Sequence, residues 1–363
     1  MKGHEVPVVK IGHIERHPNA DSLSITECEG SPVIIRTQDF KEGDLAIYIP
    51  IESLIPEGKD WVKKHCSHLT FKSTGFHRLK AARLRGVFSM GMLVPFAALQ
   101  GSKKIYGLGD DVMDELGIEK FEEPFLMEPQ GGPKGPQSLW IRFRTFFLRM
   151  FHIKQKGDPI WSLMTSYGVD QYRKNKRWLN LGEPVIVSEK IHGSCFCAAI
   201  YKKKFRVSSH HTPRPVEDNS IYWQIARKYD LKQKYAQYSD LAFFGEIYGP
   251  SVQDMGYGLK TGGLGLRIFD VMDITTRSFL SFDQANEICK TIGLEMVPIL
   301  YRGPFSPEVV EPLCDGPSLV GGSFREGFVI KPAADRRAGH GGRVVLKMVG
   351  QKYLLRKNGT ERH

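Results

Sequence analysis

The sequence of 363 residues lacks three features that would place it in a specialised class of protein. No apolar run approaches the roughly 20 residues of a membrane span, and the amino terminus lacks the apolar segment of a secretory signal. No CxxC pair occurs among the six dispersed cysteines, which argues against a disulfide framework and against structural zinc. These absences predict a soluble cytoplasmic protein with no membrane partner.

Acidic residues are missing from one long stretch. Residues 61–109 contain nine Lys or Arg and no Asp or Glu, although residues 1–120 as a whole carry no net charge. The formal charge of +11 therefore arises entirely after position 120. The basic stretch contains several phenylalanines, and cations with aromatic rings are typical of a nucleic-acid surface. We expect Lys80, Arg83 and Arg85 to contact RNA, with an ordinary solvated face as the alternative.

Short strands separated by turns are predicted for the first 120 residues, at 6–14, 33–37, 45–49 and 87–94. This pattern is typical of a small β-barrel or sandwich. The segments 17–23 (HPNADSL) and 83–92 (RLRGVFSMGM) resemble those of OB-fold domains that bind tRNA or other RNA. Turn-forming residues alone would explain the first segment, but the two segments together favour an OB-type barrel over residues 1–120.

Composition changes after position 120. Residues 128–136 are rich in Gly and Pro and predict an exposed linker, and apolar positions at helical spacing predict an interdomain helix over 140–151. We therefore expect a linker with a basic aromatic helix over 121–165 and a second domain over 166–363. A helix over 220–238 is also predicted in the second domain.

The residues that point to chemistry lie in the stretch 184–200. A β-branched run leads into Glu189 and Lys190, and a short turn follows with Gly193 before a second strand. Lys190 is therefore predicted to lie at the end of a strand, where neighbouring elements can bury it. A nucleophilic lysine needs such burial or nearby cations, because a free lysine with a pKa near ~10.4 is a poor nucleophile at neutral pH.

Five segments in one order resemble the covalent lysyl nucleotidyltransferases, the superfamily of ATP-dependent DNA ligases, RNA ligases and mRNA capping enzymes. They are 190–193 (KIHG), 243–249 (FFGEIYG), 266–271 (LRIFDV), 326–332 (EGFVIKP) and 344–348 (VVLKM). His192, two residues after the lysine, resembles the histidine that the RNA ligase 2 branch carries at this position. An OB-like domain that precedes the transferase domain resembles the RNA ligase 5 family. The implied fold is α+β, with an OB-type barrel and an ATP-grasp-like nucleotidyltransferase domain of antiparallel sheets with flanking helices.

The resemblance implies a role for each matching residue. Lys190 would accept AMP from ATP, and His192 would act in the later transfer of AMP to RNA. Glu246 and Glu326 would bind Mg²⁺ or Mn²⁺ and the nucleotide, although glutamates at strand ends also form structural ion pairs. The remaining expected nucleotide contacts are Glu189, Gly193, Phe269, Lys331 and Lys347, of which Phe269 would stack on adenine or serve as a core aromatic.

Two departures from the family pattern are visible. The final motif usually has lysines two residues apart, but Val349 follows Met348 after Lys347, so the second lysine is missing. Lys352 could substitute, or Lys331 and Lys347 could suffice. Arg206, His210 and Arg214 are alternative candidates for the residue that contacts the RNA 5′-phosphate.

The expected reaction is ATP-dependent sealing of RNA 3′-hydroxyl and 5′-phosphate ends through lysyl-AMP and AMP-RNA, as in RNA repair. We expect a monomer and count a nicked duplex among its substrates. The alternatives are a non-catalytic RNA-binding protein with a decayed transferase domain, and a DNA ligase or capping-type nucleotidyltransferase.

Overall fold

The computed structural model describes residues 4–71, 75–121, 160–164, 167–210, 213–214, 220–339, 341–356 and 360–362. The chain divides into two compact units. The first unit comprises Met1–Pro124, Tyr172–Lys176 and Val349–His363, and the second comprises Phe125–Gln171 and Arg177–Met348. The predicted linker segment 128–136 and the predicted helix 140–151 lie outside the described residues.

Short strands dominate the described part of residues 4–121, and two helices, Asp60–His65 and Met113–Leu116, interrupt them. A 3₁₀ turn occupies Phe96–Leu99. The strands are β1 (Val8–Lys10), β2 (Ile14–Arg16), β3 (Leu23–Cys28), β4 (Ser31–Arg36), β5 (Leu45–Ile49), β6 (Ser53–Pro56), β7 (Phe76–Arg78), β8 (Ala82–Leu84), β9 (Val87–Ser89), β10 (Met92–Pro95) and β11 (Glu119–Lys120).

Longer strands and more helices follow. The strands are β12 (Asp170–Gln171), β13 (Pro184–Lys190), β14 (Ser194–Tyr201), β15 (Lys204–Ser209), β16 (Pro213–Arg214), β17 (Leu241–Tyr248), β18 (Gly265–Asp273), β19 (Ser278–Phe279), β20 (Ile299–Pro304), β21 (Gly327–Pro332), β22 (Leu346–Val349) and β23 (Thr360–Arg362). The helices are Ile160–Met164, Tyr172–Asn175, Ile221–Lys228, Leu231–Lys234, Phe282–Thr291, Pro307–Val310 and Gln351–Leu355, and 3₁₀ turns occupy Lys176–Trp178, Tyr235–Tyr238 and Glu311–Cys314.

The first unit is built from three-stranded sheets, in the orders β1-β5-β10, β2-β3-β4, β11-β6-β7 and β23-β8-β9. Both faces of β5 are buried. Ile47 and Ile49 pack in one core cluster with Val94 of β10, which pairs with Ile47, and Ala46 and Tyr48 pack in a second cluster. The predicted strand 87–94 is two strands, β9 and β10. The Tyr48 hydroxyl donates a hydrogen bond to the Met90 carbonyl at 2.6 Å between them, where no strand pairing occurs.

Two sheets make up the second unit. The six-stranded sheet has the order β16-β15-β14-β17-β18-β19, and the five-stranded sheet has the order β12-β22-β21-β13-β20. The pairings of β13 with β20 and β21 and all those of the six-stranded sheet are antiparallel, and β12 pairs with β22 in parallel. Together with the flanking helices, they confirm the expected α+β class and its antiparallel sheets.

The helix predicted over 220–238 is interrupted. Asp230 has a φ of 49°, in the left-handed region, and separates Ile221–Lys228 from Leu231–Lys234. Tyr222 and Ile225 on the predicted face are buried, which explains why apolar spacing alone suggested one helix. No helix in the described part of the chain is long and apolar enough to cross a membrane.

Candidate active site

Lys190 is the last residue of β13, as the sequence predicted. Val185, Ile186 and Val187 anchor this strand in the core, at 0–2% exposure. The turn after Lys190 is tight, because a Cβ atom on Gly193 would lie 2.1 Å from the Ile247 carbonyl oxygen of β17. Only glycine fits this approach, so Gly193 acts through its small size and brings β13 and β17 together.

Glu326 lies beside Lys190 because of strand register. Lys190 of β13 pairs with Gly327 of β21, so the residue before that strand is adjacent. The Lys190 ammonium donates a hydrogen bond to Glu326 Oε2 at 2.7 Å, and the two side chains are 22% and 8% exposed. Burial acts to lower the pKa of Lys190, but Glu326 and then Glu246 outweigh it and raise the pKa above its ordinary value. In the absence of ligands Lys190 is therefore an ammonium ion.

Glu246 is the second carboxylate near Lys190. It lies in β17 opposite Cys195 of β14. Burial raises its pKa to about 8, and Lys190 and Lys347 partly oppose this rise. The structure therefore brings Lys190, Glu246, Glu326 and Lys347 into one electrostatic cluster.

A divalent cation would find suitable donors here, since carboxylate oxygens are the ligands that Mg²⁺ and Mn²⁺ prefer. The described residues contain no group of three or more His, Cys, Asp and Glu side chains arranged to hold a metal by themselves. Mg²⁺ commonly binds one or two carboxylates together with substrate phosphates and water. Glu246 and Glu326 would supply the protein ligands, and the proton on Glu246 would leave when the cation binds.

His192 is buried at 8% exposure in the turn after Lys190. Its Nε2 atom lies 2.8 Å from Asp254 Oδ1, and its Nδ1 atom lies 3.9 Å from Glu326 Oε2. Its backbone N–H donates to the Tyr257 hydroxyl at 2.6 Å. The segment 250–259 therefore supplies two of the contacts that hold His192. Neither Asp254 nor Tyr257 belongs to the five segments identified in the sequence.

Glu189 points away from Lys190, because adjacent residues of a strand face opposite sides of the sheet. Its carboxylate accepts hydrogen bonds from the Ser318 hydroxyl at 2.5 Å and the Leu319 N–H at 2.7 Å. Glu189 is 1% exposed, so its carboxylate braces the loop before β21.

Phe269 is partly buried in β18, with its ring centroid 4.9 Å from that of Tyr167. Lys331 lies close by: its ammonium donates to the Phe269 carbonyl at 3.4 Å and to Asp270 Oδ1 at 2.5 Å. Strand pairing does not bring Lys331 next to Asp270, because β18 and β21 belong to different sheets. The contact between Asp270 and Lys331 joins the two sheets.

Asp270 is a buried carboxylate that binds three other side chains, and the sequence analysis did not predict this role. It is 1% exposed and accepts hydrogen bonds from Lys331, from Arg343 at 3.1 Å and from the Tyr167 hydroxyl at 2.6 Å. Burial acts to raise the pKa of Asp270, but Lys331 and Arg343 outweigh it and lower the pKa. The Arg343 guanidinium also lies 3.4 Å from the centroid of the Phe279 ring. The only sign of this role in the sequence is that an acidic residue, Asp270, directly follows Phe269 in the segment 266–271.

The two OB-like sequence segments meet in the first unit. His17 Nδ1 accepts from the Asn19 N–H, so its Nε2 donates to the Leu84 carbonyl at 3.0 Å, and the Asn19 amide donates to the Arg85 carbonyl at 2.9 Å. A cavity of about 360 Å³ lies there, lined by Pro18, Asn19, Ala20, Asp21, Ser22 and Arg85.

The basic residues predicted to bind RNA occupy both units. Lys80 is partly buried, Arg83 lies in β8 and Arg85 lies in the following turn with a φ of 44°. In the second unit, Arg206 belongs to β15 and pairs with Ala199, and the Arg214 guanidinium lies 4.7 Å from the centroid of the Tyr222 ring. His210 contacts the Tyr167 carbonyl through Nε2 at 2.6 Å.

Comparison with known proteins agrees with this arrangement. Residues 183–349 match the RNA ligase family, and residues 6–96 match an OB-fold domain. No curated protein sequence matches the chain.

Solved structures of Naegleria gruberi RNA ligase are similar over nearly the whole chain. A lysine-to-alanine variant with ATP and Mn has a TM-score of 0.76 at 23% identity, covering 98% of this chain and 99% of that one. An arginine-to-alanine variant with ATP and Mn has a TM-score of 0.77 at 23% identity, with the same coverage of both chains. A glutamate-to-alanine variant with AMP and Mn has a TM-score of 0.75, also at 23% identity and with the same coverage.

The chain shares with these RNA ligases the arrangement of an OB-fold domain followed by an antiparallel α+β domain. Residues 183–349 form an RNA ligase domain. The expected pairing of an OB-fold domain with an RNA ligase domain is confirmed.

Proposed function

We propose that the enzyme joins RNA 3′-hydroxyl and 5′-phosphate ends, with Lys190 as the residue that carries AMP. The observation that carries this proposal is the convergence of Lys190, Glu246 and Glu326 at the ends of strands from two sheets. A lone strand-end lysine is an ordinary feature, but a buried lysine between two carboxylates and next to a histidine is a reactive arrangement.

The reaction has three balanced steps. The Lys190 nitrogen, after losing a proton, attacks the α-phosphorus of ATP, and pyrophosphate leaves. A 5′-phosphate oxygen of RNA then attacks that phosphorus, and the bond to Lys190 breaks as the lysine regains a proton. A 3′-hydroxyl finally attacks the RNA phosphate, AMP leaves and a phosphodiester forms. ATP and a divalent metal ion are the cofactors required.

Lys190 must lose its proton before the first step, and its neighbours control this loss. Glu326 and Glu246 hold the ammonium form in the free enzyme. A divalent cation bound to these carboxylates would neutralise them and offset phosphate charge. The Glu326 oxygen would then no longer hold the Lys190 proton, and the amine would become available to react.

The remaining assignments rest on the resemblance to the nucleotidyltransferases and on side-chain charge. We assign the ring of Phe269 to the adenine base, and Lys331 and Lys347 to phosphate oxygens. Arg206 and Arg214 are assigned to the RNA 5′-phosphate. Residues 166–363 would perform the chemistry, residues 1–120 would bind RNA through Lys80, Arg83 and Arg85, and residues 121–165 would link them.

We further propose that the enzyme acts as a monomer on ends held in a nicked duplex. A cytoplasmic location is proposed because Cys28, Cys66, Cys195, Cys197, Cys289 and Cys314 are all free thiols, which a reducing compartment maintains. Gel filtration with light scattering would test the monomer.

The sealing assay uses end-labelled nicked duplexes in which the nicked strand is RNA or DNA, with ATP or GTP and Mg²⁺ or Mn²⁺. We expect sealing of RNA with ATP, and accumulation of AMP-RNA when the 3′-hydroxyl is replaced by hydrogen. Exclusive sealing of DNA would favour the DNA ligase alternative, and RNA binding without any nucleotide adduct would favour the non-catalytic one.

A further inference from the structure

His192 is held from two sides by one loop. Asp254 Oδ1 lies 2.8 Å from the His192 Nε2 atom, and the Tyr257 hydroxyl accepts from the His192 N–H at 2.6 Å. Asp254 is 18% exposed and His192 is 10% exposed, so bulk water screens the pair only weakly. A carboxylate on one nitrogen of an imidazole fixes its tautomer and its ring orientation.

The loop that carries Asp254 has a constrained backbone. Tyr257 has a φ of 52° although it is not glycine, and it is only 5% exposed. A bulky residue in this conformation persists only where its surroundings enforce it. A Cβ atom on Gly321 would lie 2.4 Å from the Tyr257 carbonyl oxygen, so a second loop packs directly on this backbone. The Asp254 carboxylate is therefore presented to His192 from a fixed position.

The orientation of the His192 ring determines which of its two nitrogens faces Glu326. With Nε2 donating to Asp254, the Nδ1 atom lies 3.9 Å from Glu326 Oε2. The same Glu326 oxygen accepts from Lys190 at 2.7 Å. The Asp254 contact therefore turns Nδ1 of His192 towards the Glu326 oxygen that binds Lys190.

Resting on the proposed function, we propose that Asp254 is a positioning residue for the transfer of AMP from Lys190 to the RNA 5′-phosphate. In that step an oxygen of the RNA phosphate forms a bond to the AMP phosphorus, the phosphorus–nitrogen bond breaks, and its electron pair returns to Lys190, which takes up a proton. Asp254 acts through His192, whose Nδ1 faces the phosphate that is transferred.

The test separates the reaction into its steps. Lysyl-AMP enzyme is prepared with labelled ATP, freed of nucleotide and mixed with 5′-phosphorylated nicked RNA in a single turnover. The variants are Asp254→Ala, the isosteric Asp254→Asn and the charge-retaining Asp254→Glu. Each is also made in the His192→Ala background. Asp240→Asn, at an exposed position of the same unit, is the matched control.

We expect Asp254→Ala and Asp254→Asn to slow AMP transfer about 10- to 100-fold, the range found when a carboxylate that orients a functional histidine is removed. The lysyl-AMP yield and the apparent Kd for RNA should stay at their wild-type values, and Asp254→Glu should recover part of the rate. Because Asp254 acts through His192, its removal should cost nothing further in the His192→Ala background.

Unchanged AMP transfer in Asp254→Asn would overturn the inference. So would an equal further loss in the His192→Ala background, or an equal loss of lysyl-AMP formation in all three Asp254 variants. Failure of the wild-type enzyme to form lysyl-AMP at all would instead contradict the proposed function, and the two failures are therefore distinguishable.

Discussion

The Lys190 ammonium and Glu326 Oε2 form a buried ion pair of 2.7 Å between the end of β13 and the start of β21. The pair results from a register in which Lys190 faces Gly327. Under the proposed function, this pair would keep the attacking nitrogen protonated until bound ATP and metal offset the charge of Glu326.

Glu246 should make stability depend on pH in the enzyme without metal. Its folded pKa, about 8, lies above the ordinary 4.5 because of burial, so folding is favoured most when the carboxyl is protonated. The free energy of unfolding should therefore fall as the pH rises between about 5 and 8, by up to about 1.4 kcal/mol per pH unit. Urea unfolding in the presence of a chelator measures this slope.

Glu246→Gln should remove most of that slope, because the amide has no proton to lose. Glu287→Gln, at an exposed position in the helix Phe282–Thr291, should keep the wild-type slope. Identical slopes for Glu246→Gln and the wild type would show that Glu246 is not the titrating group.

Asp270→Ala should be strongly destabilising. It leaves the buried cations of Lys331 and Arg343 without their shared partner, and the expected cost is about 3–5 kcal/mol of unfolding free energy. Asp283→Ala breaks an exposed pair with Arg302 and should cost far less. Chemical denaturation of both variants provides the comparison, and a similar loss for the two would contradict the hub assigned to Asp270.

Gly193→Ala should abolish adenylylation. The added Cβ atom would meet the Ile247 carbonyl at 2.1 Å and the Glu246 side chain at 3.0 Å, so β13 and β17 must separate. Gly168→Ala is the control, since a Cβ atom there has no neighbour within 4 Å. Nucleotide labelling of both purified variants tests the prediction, and wild-type labelling of Gly193→Ala would refute it.

Much of the candidate site could be predicted from the sequence, because motif residues lie at strand ends and their order is visible. The position of Lys190 at the end of β13 followed from a β-branched run before a glycine turn. The partnership of Asp254 with His192 could not be predicted, since it depends on the path of a loop 62 residues away in sequence. The hub at Asp270 depends on contact between two sheets.

The local backbone conformation at two positions could not be predicted from the sequence either. Apolar spacing supported one helix over 220–238, but spacing carries no information about the left-handed conformation of Asp230 that divides it. The strand predicted over 87–94 is divided at Met90, whose carbonyl accepts a hydrogen bond from a tyrosine distant in sequence.

The central claim is that Lys190 carries AMP, and peptide mapping tests it most directly. The enzyme is incubated with α-labelled ATP and a divalent metal, digested, and analysed for an acid-stable AMP adduct by mass spectrometry. Lys290→Ala, at an exposed helix position, serves as the control. We predict a single adduct on Lys190 that is absent from Lys190→Ala and retained in Lys290→Ala. An adduct that persists in Lys190→Ala would contradict the assignment.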